Sequence, residues 1–153
     1  MFKVNVVAVG KVKEKYFIEA INEYAKRLTR FCEFNIIECK EYSLEDISPQ
    51  VALKSEADEI IKKLRGYVVV MDINGKKVDS VGLSNILTQV KDAHGEITFV
   101  IGSSCGLSDA VKSKADRLIS FSDMTFPHTL FRVMLCEQIY RGFMIAGGGK
   151  YHK

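Results

Sequence analysis

The stretch Ile97-Thr98-Phe99-Val100-Ile101-Gly102-Ser103-Ser104-Cys105-Gly106-Leu107 decides the fold. Its first five residues are β-branched or aromatic and show no polar alternation. That pattern predicts a strand covered on both faces, as in a parallel sheet. The strand empties into a loop of small residues. A second passage of the same kind follows: Leu118 to Phe121 runs into Ser122-Asp123-Met124-Thr125-Phe126-Pro127-His128. Small-residue loops at strand ends let backbone amides and carbonyls come close to a bound small molecule. The chain then closes with an apolar helix, the Gly147-Gly148-Gly149 hinge and Lys150-Tyr151-His152-Lys153. A terminal tyrosine, imidazole and cation on a glycine hinge can reach the same place, and the imidazole titrates near neutrality.

Outward from these loops, strand and helix alternate. Strands are expected at Phe2–Val9, Phe34–Cys39, Tyr67–Asp72, Ile97–Ile101 and Leu118–Phe121. Helices are expected at 14–31, from Ser48-Pro49 to about Leu64, at 81–92, at Ser108–Ala115 with Ser108 as N-cap, and at Thr129–Ile145. Asn74-Gly75 reads as a turn. Five strands alternating with five helices predict an α/β fold, a mostly parallel five- or six-stranded sheet with helices on both faces. Ligands of such sheets collect beyond the carboxyl ends of the strands. There lie Met71-Asp72-Ile73, Gly102 to Gly106 and Phe121 to Phe126.

Composition sets the bounds. The chain has 153 residues, 47% hydrophobic and 27% charged, which suits one globular domain spanning 1–153. A net charge of +3 permits a polyanionic partner without demanding one. The cysteines at 32, 39, 105 and 136 lack the short paired spacing of a zinc site, so no metal is expected. Scattered cysteines and the lack of a signal-peptide pattern point to a reduced, cytoplasmic setting. No apolar run reaches membrane-spanning length. The last helix carries Leu130, Phe131, Val133, Met134, Leu135, Ile139, Tyr140, Phe143, Met144 and Ile145 around most of its circumference. One sheet cannot cover all of it, so a two-fold homodimer is expected, full burial within one chain being the alternative.

Several residue groups together resemble one known family. They are Ala8-Val9-Gly10-Lys11, Glu23-Tyr24-Ala25-Lys26-Arg27-Leu28, Asp72 with Gly75-Lys76, and Ile101-Gly102 with Gly106-Leu107. To these add Met124-Thr125-Phe126-Pro127-His128, Arg132-Val133, Glu137-Gln138-Ile139-Tyr140-Arg141 and Tyr151-His152-Lys153. Over essentially the whole length the chain resembles the RlmH family, small SPOUT-class methyltransferases that use S-adenosylmethionine on large-subunit ribosomal RNA. The resemblance implies a deep trefoil knot in about 67–153, which the usual topology rules would not have supplied. It also implies a homodimer with the cofactor pocket near the subunit interface. The implied substrate is the ribosome, methylated at N3 of a pseudouridine. One departure stands out: the family usually shows a second glycine where this chain has Ser103, which adds a Cβ and a hydroxyl beside the cofactor loop.

On that resemblance Met71, Gly102, Ser103, Gly106, Phe121, Ser122, Asp123, Met124, Thr125 and Phe126 would hold S-adenosylmethionine. The bland alternative is a pair of ordinary strand-to-helix turns. His152 is the expected general base, with His128 second. Arg132 and Lys153 would stabilise charge on the base's carbonyl oxygens, and Tyr151 would stack on it. Structural alternatives remain for each: a hydrogen-bonding histidine, an Arg132 paired with Glu137 or another carboxylate, an idle tail. Glu137 and Arg141, four apart, are expected to pair. Lys11, Lys13, Lys26, Arg27 and Arg30, with Lys153, form the expected RNA-binding patch, a solvated helix face being the alternative. Rival functions are a SPOUT enzyme acting on another nucleotide, a silent ribosome-binding factor and a nucleotide-binding sensor.

Overall fold

The computed structural model describes residues 1–153. In chain order it comprises β1 (Lys3–Val9), α1 (Lys15–Leu28), β2 (Glu33–Cys39), α2 (Pro49–Lys63), β3 (Tyr67–Lys77), α3 (Ser80–Ala93), β4 (Glu96–Ile101), α4 (Asp109–Lys112), β5 (Arg117–Ser120) and α5 (His128–Ala146). The five strands form one sheet in the order β2-β1-β4-β3-β5, and every pair is parallel. All strand carboxyl ends therefore open on one edge.

Helix starts follow the local chemistry. Ser48 precedes Pro49 and its hydroxyl accepts from the Val51 amide at 3.3 Å. Asp79 accepts from the Gly82 amide at 2.7 Å, and Ser108 from Val111 at 3.4 Å. Each side chain satisfies an amide that the first helical turn leaves without a carbonyl.

Strand side chains alternate between two cores. Val4, Val6, Ala8, Val69, Ile97, Phe99 and Ile101 pack against α1, α3 and α5, through Leu28, Leu83, Leu87, Leu135, Ile139 and Phe143. Val7, Val9, Val68, Val70 and Val100 point the other way, onto Ala57 and Ile60 of α2 and Val111 of α4. Burial on both faces is why these strands read as continuous apolar runs. The face with three helices has the larger core, and α5 lies in it between α1 and α3.

Two elements differ from the sequence expectation. β3 runs on to Lys77, and its ladder with β5 skips: Met71 and Lys76 both stand opposite Ile119. Residues 72–75 leave the sheet and return, so Asn74-Gly75 sits in a protrusion of the strand rather than beyond its end. Gly75 is required there, since a Cβ would lie 2.7 Å from the Ile119 nitrogen and 2.8 Å from the Leu118 carbonyl carbon. The helix expected at Ser108–Ala115 is only Asp109–Lys112. Asp116 is already committed: its carboxylate accepts from the Val68 amide at 2.7 Å, which pulls the chain into β5.

Ile139 is fully buried in the larger core. Ile139→Ala is expected to lower the unfolding free energy by about 2–5 kcal/mol in urea titration. A loss below about 1 kcal/mol would mean that α5 does not pack as described.

Candidate functional site

At the carboxyl edge of the sheet the loops after β4 and β5 and the protrusion of β3 enclose a cavity of about 590 Å³. That volume lies within the range of about 300–1,000 Å³ usual for small-molecule sites. One wall is the Gly102–Gly106 loop. Ser103 and Gly106 close it into a tight turn, the Gly106 amide donating to the Ser103 carbonyl at 2.9 Å. Gly106 takes φ +79°, a backbone state that side chains disfavour. A Cβ on Gly102 would meet the Gly106 carbonyl oxygen at 2.5 Å, so backbone packs directly on backbone.

The other walls are apolar and aromatic. Met71, Ile119 and Leu107 line the cavity with Phe121 and Phe131, whose rings lie 5.2 Å apart. Ser122, Met124, Thr125, Phe126 and His128 complete it. No lysine or arginine lines it, and Asp72 is its one carboxylate, paired with Lys112 at 3.3 Å. Such a space suits a flat heteroaromatic ring held by backbone groups. It offers no cation to a triphosphate.

Nine of the ten residues expected around the cofactor therefore line this cavity. Asp123 does not: it is exposed and forms an ion pair with Lys77. Met124 lines the rim while remaining 72% exposed.

Ser103, the departure from the glycine pattern, is explained by its partner. Its hydroxyl donates to Oε1 of Glu56 at 2.9 Å, and the Cys105 amide donates to it at 3.3 Å. Glu56, only 2% exposed, also accepts from the Tyr42 amide at 3.2 Å through Oε2. A buried carboxylate needs such donors. The serine thus ties the loop to α2 and to the segment after β2. Glu56 escaped the sequence reading, although it sits among Ala52, Ala57 and Ile60 on the buried stripe of α2, where a lone carboxylate is a signal.

A second cavity, about 670 Å³, adjoins the first through Ser103 and Ser104. It lies beyond β1 and β2 and is lined by Gly10, Lys11, Lys13, Glu38, Lys40, Glu41, Tyr42 and Cys105, among others. Lys11 and Lys13 of the expected basic patch are brought here. Lys26 on α1 and Arg30 just beyond its end are exposed, away from both cavities.

Arg132 and the tail are placed elsewhere than expected. Arg132 is 2% exposed and lines neither cavity. Its Nη1 donates to Glu38 at 2.6 Å and its Nη2 to the Gly10 carbonyl at 3.0 Å, while Nε has no partner. Glu137 pairs with Arg141 at 2.6 Å, as the spacing implied. The Tyr151 hydroxyl donates to Glu137 at 3.1 Å, and its ring stands 4.9 Å from that of Tyr140. Burial, with side-chain hydrogen bonding to Tyr24 and Glu137, pushes the Tyr151 phenol up to about 12, so it stays protonated and donating at neutral pH. His152 Nδ1 lies 3.2 Å from Arg141 Nη1. Within one chain the tail folds onto the far half of α5, near Arg27, which pairs with Glu23 and faces the Tyr24 and Tyr140 rings at 5.5 Å. His128 is the one expected catalytic residue that reaches the first cavity.

Comparison with known proteins agrees with this fold. Residues 2–152 match the family described as "Predicted SPOUT methyltransferase". The chain is 48% identical over 153 residues to the Ribosomal RNA large subunit methyltransferase H of Caldicellulosiruptor saccharolyticus, covering 98% of this chain and 99% of that one. Among solved structures it superposes on a probable methylase family protein from Haemophilus influenzae Rd KW20 with a TM-score of 0.55 at 14% identity, over 100% of this chain and 72% of that one. It also superposes on the tRNA (m1G37) methyltransferase from Aquifex aeolicus with a TM-score of 0.52 at 14% identity, over 90% and 69%. At such identities the likeness is one of fold.

All four cysteines are free thiols. Burial pushes Cys32 and Cys136 from 9.0 to about 12, and raises Cys39 as well. A raised thiol stays protonated and unreactive at pH 8. Iodoacetamide at that pH is expected to label the half-buried Cys105 alone in the folded protein and all four after unfolding, by mass spectrometry. Labelling of native Cys136 would contradict the packing of α5.

Proposed function

This chain belongs to the SPOUT methyltransferase family, and from that membership we propose that it methylates N3 of a pseudouridine in large-subunit ribosomal RNA. S-adenosylmethionine supplies an electrophilic methyl group on a sulfonium. The observation that carries the reading is the first cavity, with backbone walls, aromatic sides and no cationic lining residue. Phe121, Phe131 and Met71 would sandwich the adenine, and the amides and carbonyls of the Gly102–Gly106 and Phe121–Phe126 loops would bond its edge and the ribose. Asp72 has the sign that suits a sulfonium. A nucleotide sensor would need a cation for its phosphates, and this cavity has none.

The protein's work is alignment and proton management. In-line displacement needs the nucleophile, methyl carbon and departing sulfur held in line, and much of the rate comes from that positioning. N3 of a pseudouridine carries a proton and becomes nucleophilic only as that proton leaves. His128 stands at the cavity to accept it. His152 could do so only from another chain. A homodimer accounts for this: Val133 and Met134 of α5, with Val78 and Phe121, line a half-exposed groove that a second copy would cover. The tail of one subunit would then serve the cavity of the other. The crossing of residues 72–77 against β5 fits the knot expected of the family. Ribosomes as substrate put the enzyme in the cytoplasm, in keeping with four unpaired cysteines. No helix is long and apolar enough to cross a membrane.

Two measurements test this reading. Wild-type protein is expected to transfer one labelled methyl group per unmodified ribosome, mapping to a large-subunit pseudouridine. In single turnover, loss of the true base by His128→Ala or His152→Ala should slow transfer by about 10²–10⁴-fold. Wild-type rates in both variants would remove histidine from the chemistry, and no transfer by the wild type would end the proposal. Separately, Gly102→Ala should raise the Kd for S-adenosylmethionine by about tenfold or more, equivalent to about 1.4 kcal/mol. Unchanged affinity would show that the Gly102 loop does not hold the cofactor.

A further inference from the structure

We propose that the second cavity is the acceptor site: Tyr42 and the Ser103–Cys105 segment enclose the target base, and Lys11, Lys13 and Lys40 hold the phosphates beside it. This rests on the RNA-methyltransferase reading and deepens it.

Position argues first. A methyl acceptor must come within about 3–3.5 Å of the methyl carbon, so its site must open into the donor's. The second cavity adjoins the first at Ser103 and Ser104, which line both. It sits at the carboxyl ends of β1, β2 and β4, on the same edge of the sheet as the first.

Charge argues next. The two cavities divide the chemistry between them. The first has no lysine or arginine, and the second has three lysines. A nucleotide in RNA brings a phosphodiester on each side, and lysines are point-charge partners for it. Of the two lining carboxylates, Glu38 is already neutralised by Arg132. Tyr42 supplies an aromatic face, and the Lys40 ammonium lies 4.9 Å from its ring centroid. Bases drawn out of a helix are commonly received by an aromatic surface with a cation close by.

The walls are fixed from behind. Arg132 holds the Gly10 carbonyl and Glu38, both in the second cavity, while its helix neighbours His128 and Phe131 line the first. Glu56 binds Ser103 on the shared wall and the Tyr42 amide on the outer one. Arg132 and Glu56 are thus positioning residues: they set the distance between donor and acceptor without touching either. Transfer at the junction of the two cavities, beside Ser103 and Ser104, forms the ring N–CH₃ bond as the S–CH₃ bond breaks. The bonding pair leaves on sulfur as a thioether, and the ring proton passes to the imidazole base.

The test uses full-length protein and unmodified ribosomes, with S-adenosylmethionine affinity measured by calorimetry alongside kcat and KM. Ser43 lines the second cavity, is exposed and lies outside both cofactor loops, so Ser43→Trp places a bulky ring in that cavity. That variant should bind S-adenosylmethionine within about twofold of wild type while kcat/KM for ribosomes falls by about 100-fold. The exposed-site variant Lys40→Glu, which carries no packing risk, should raise KM about tenfold with kcat little changed, and the loss should deepen with added salt. Tyr42→Ala should cost about 5–100-fold in kcat/KM, the value of one stacking contact. Wild-type kcat/KM in Lys40→Glu and Tyr42→Ala overturns the proposal. So does a Ser43→Trp protein that loses cofactor binding in step with methylation, because the cavity would then belong to the cofactor. A wild-type protein that methylates no ribosome defeats the functional reading itself. Active wild type with unaffected variants defeats only this assignment.

Discussion

Backbone must pass against backbone at the carboxyl edge of the sheet, and the site depends on that closeness. Gly102 lies where any Cβ would strike the Gly106 carbonyl, and Gly75 where one would strike the backbone of Leu118 and Ile119. Only glycine allows both approaches. They draw the β3 protrusion, the loop after β4 and the strand before the β5 loop into one wall. The cavity inside sets that backbone wall against apolar and aromatic side chains, a combination that suits a purine edge and a ribose.

Around that wall the molecule separates two kinds of chemistry. The apolar cavity keeps phosphate-binding cations out, and the neighbouring one gathers them. α5 spans the boundary. Its first turn gives His128 and Phe131 to the apolar cavity, and Arg132, next in sequence, turns inward to hold the ends of β1 and β2. The cost of burying that guanidinium is offset by the Glu38 carboxylate and the Gly10 carbonyl. The same residue that resembled an RNA contact in sequence is a strut in the structure.

Most of the fold was legible because strand burial leaves a plain trace. Tyr67–Met71 and Ile97–Ile101 are buried on both faces and read as unbroken apolar runs. Ser108 was visible as a cap whose hydroxyl suits a helix start, and Ser48-Pro49 as the opening of α2. What stayed hidden was long-range. The skip in the β3–β5 ladder depends on Ile119, more than forty positions away, and nothing local in Asp72-Ile73-Asn74-Gly75 announces it. The shortening of α4 follows from Asp116 bonding Val68 across the sheet. Within the site, most residues lining the first cavity were legible because loop composition marks them. Arg132 and Asp123 were misplaced because a charged residue near a pocket in sequence carries no mark of which way it turns. Ser103 looked like a loss of fit until Glu56 supplied its partner.

The central physical claim is that the glycine-walled cavity holds the methyl donor. A crystal structure of the protein with S-adenosylhomocysteine measures this directly. The adenine should lie between Phe121, Phe131 and Met71, with the ribose against the Gly102–Gly106 backbone and the homocysteine sulfur directed toward Ser103 and Ser104. Ligand density anywhere else on the molecule, or an empty cavity at saturating ligand, would contradict it.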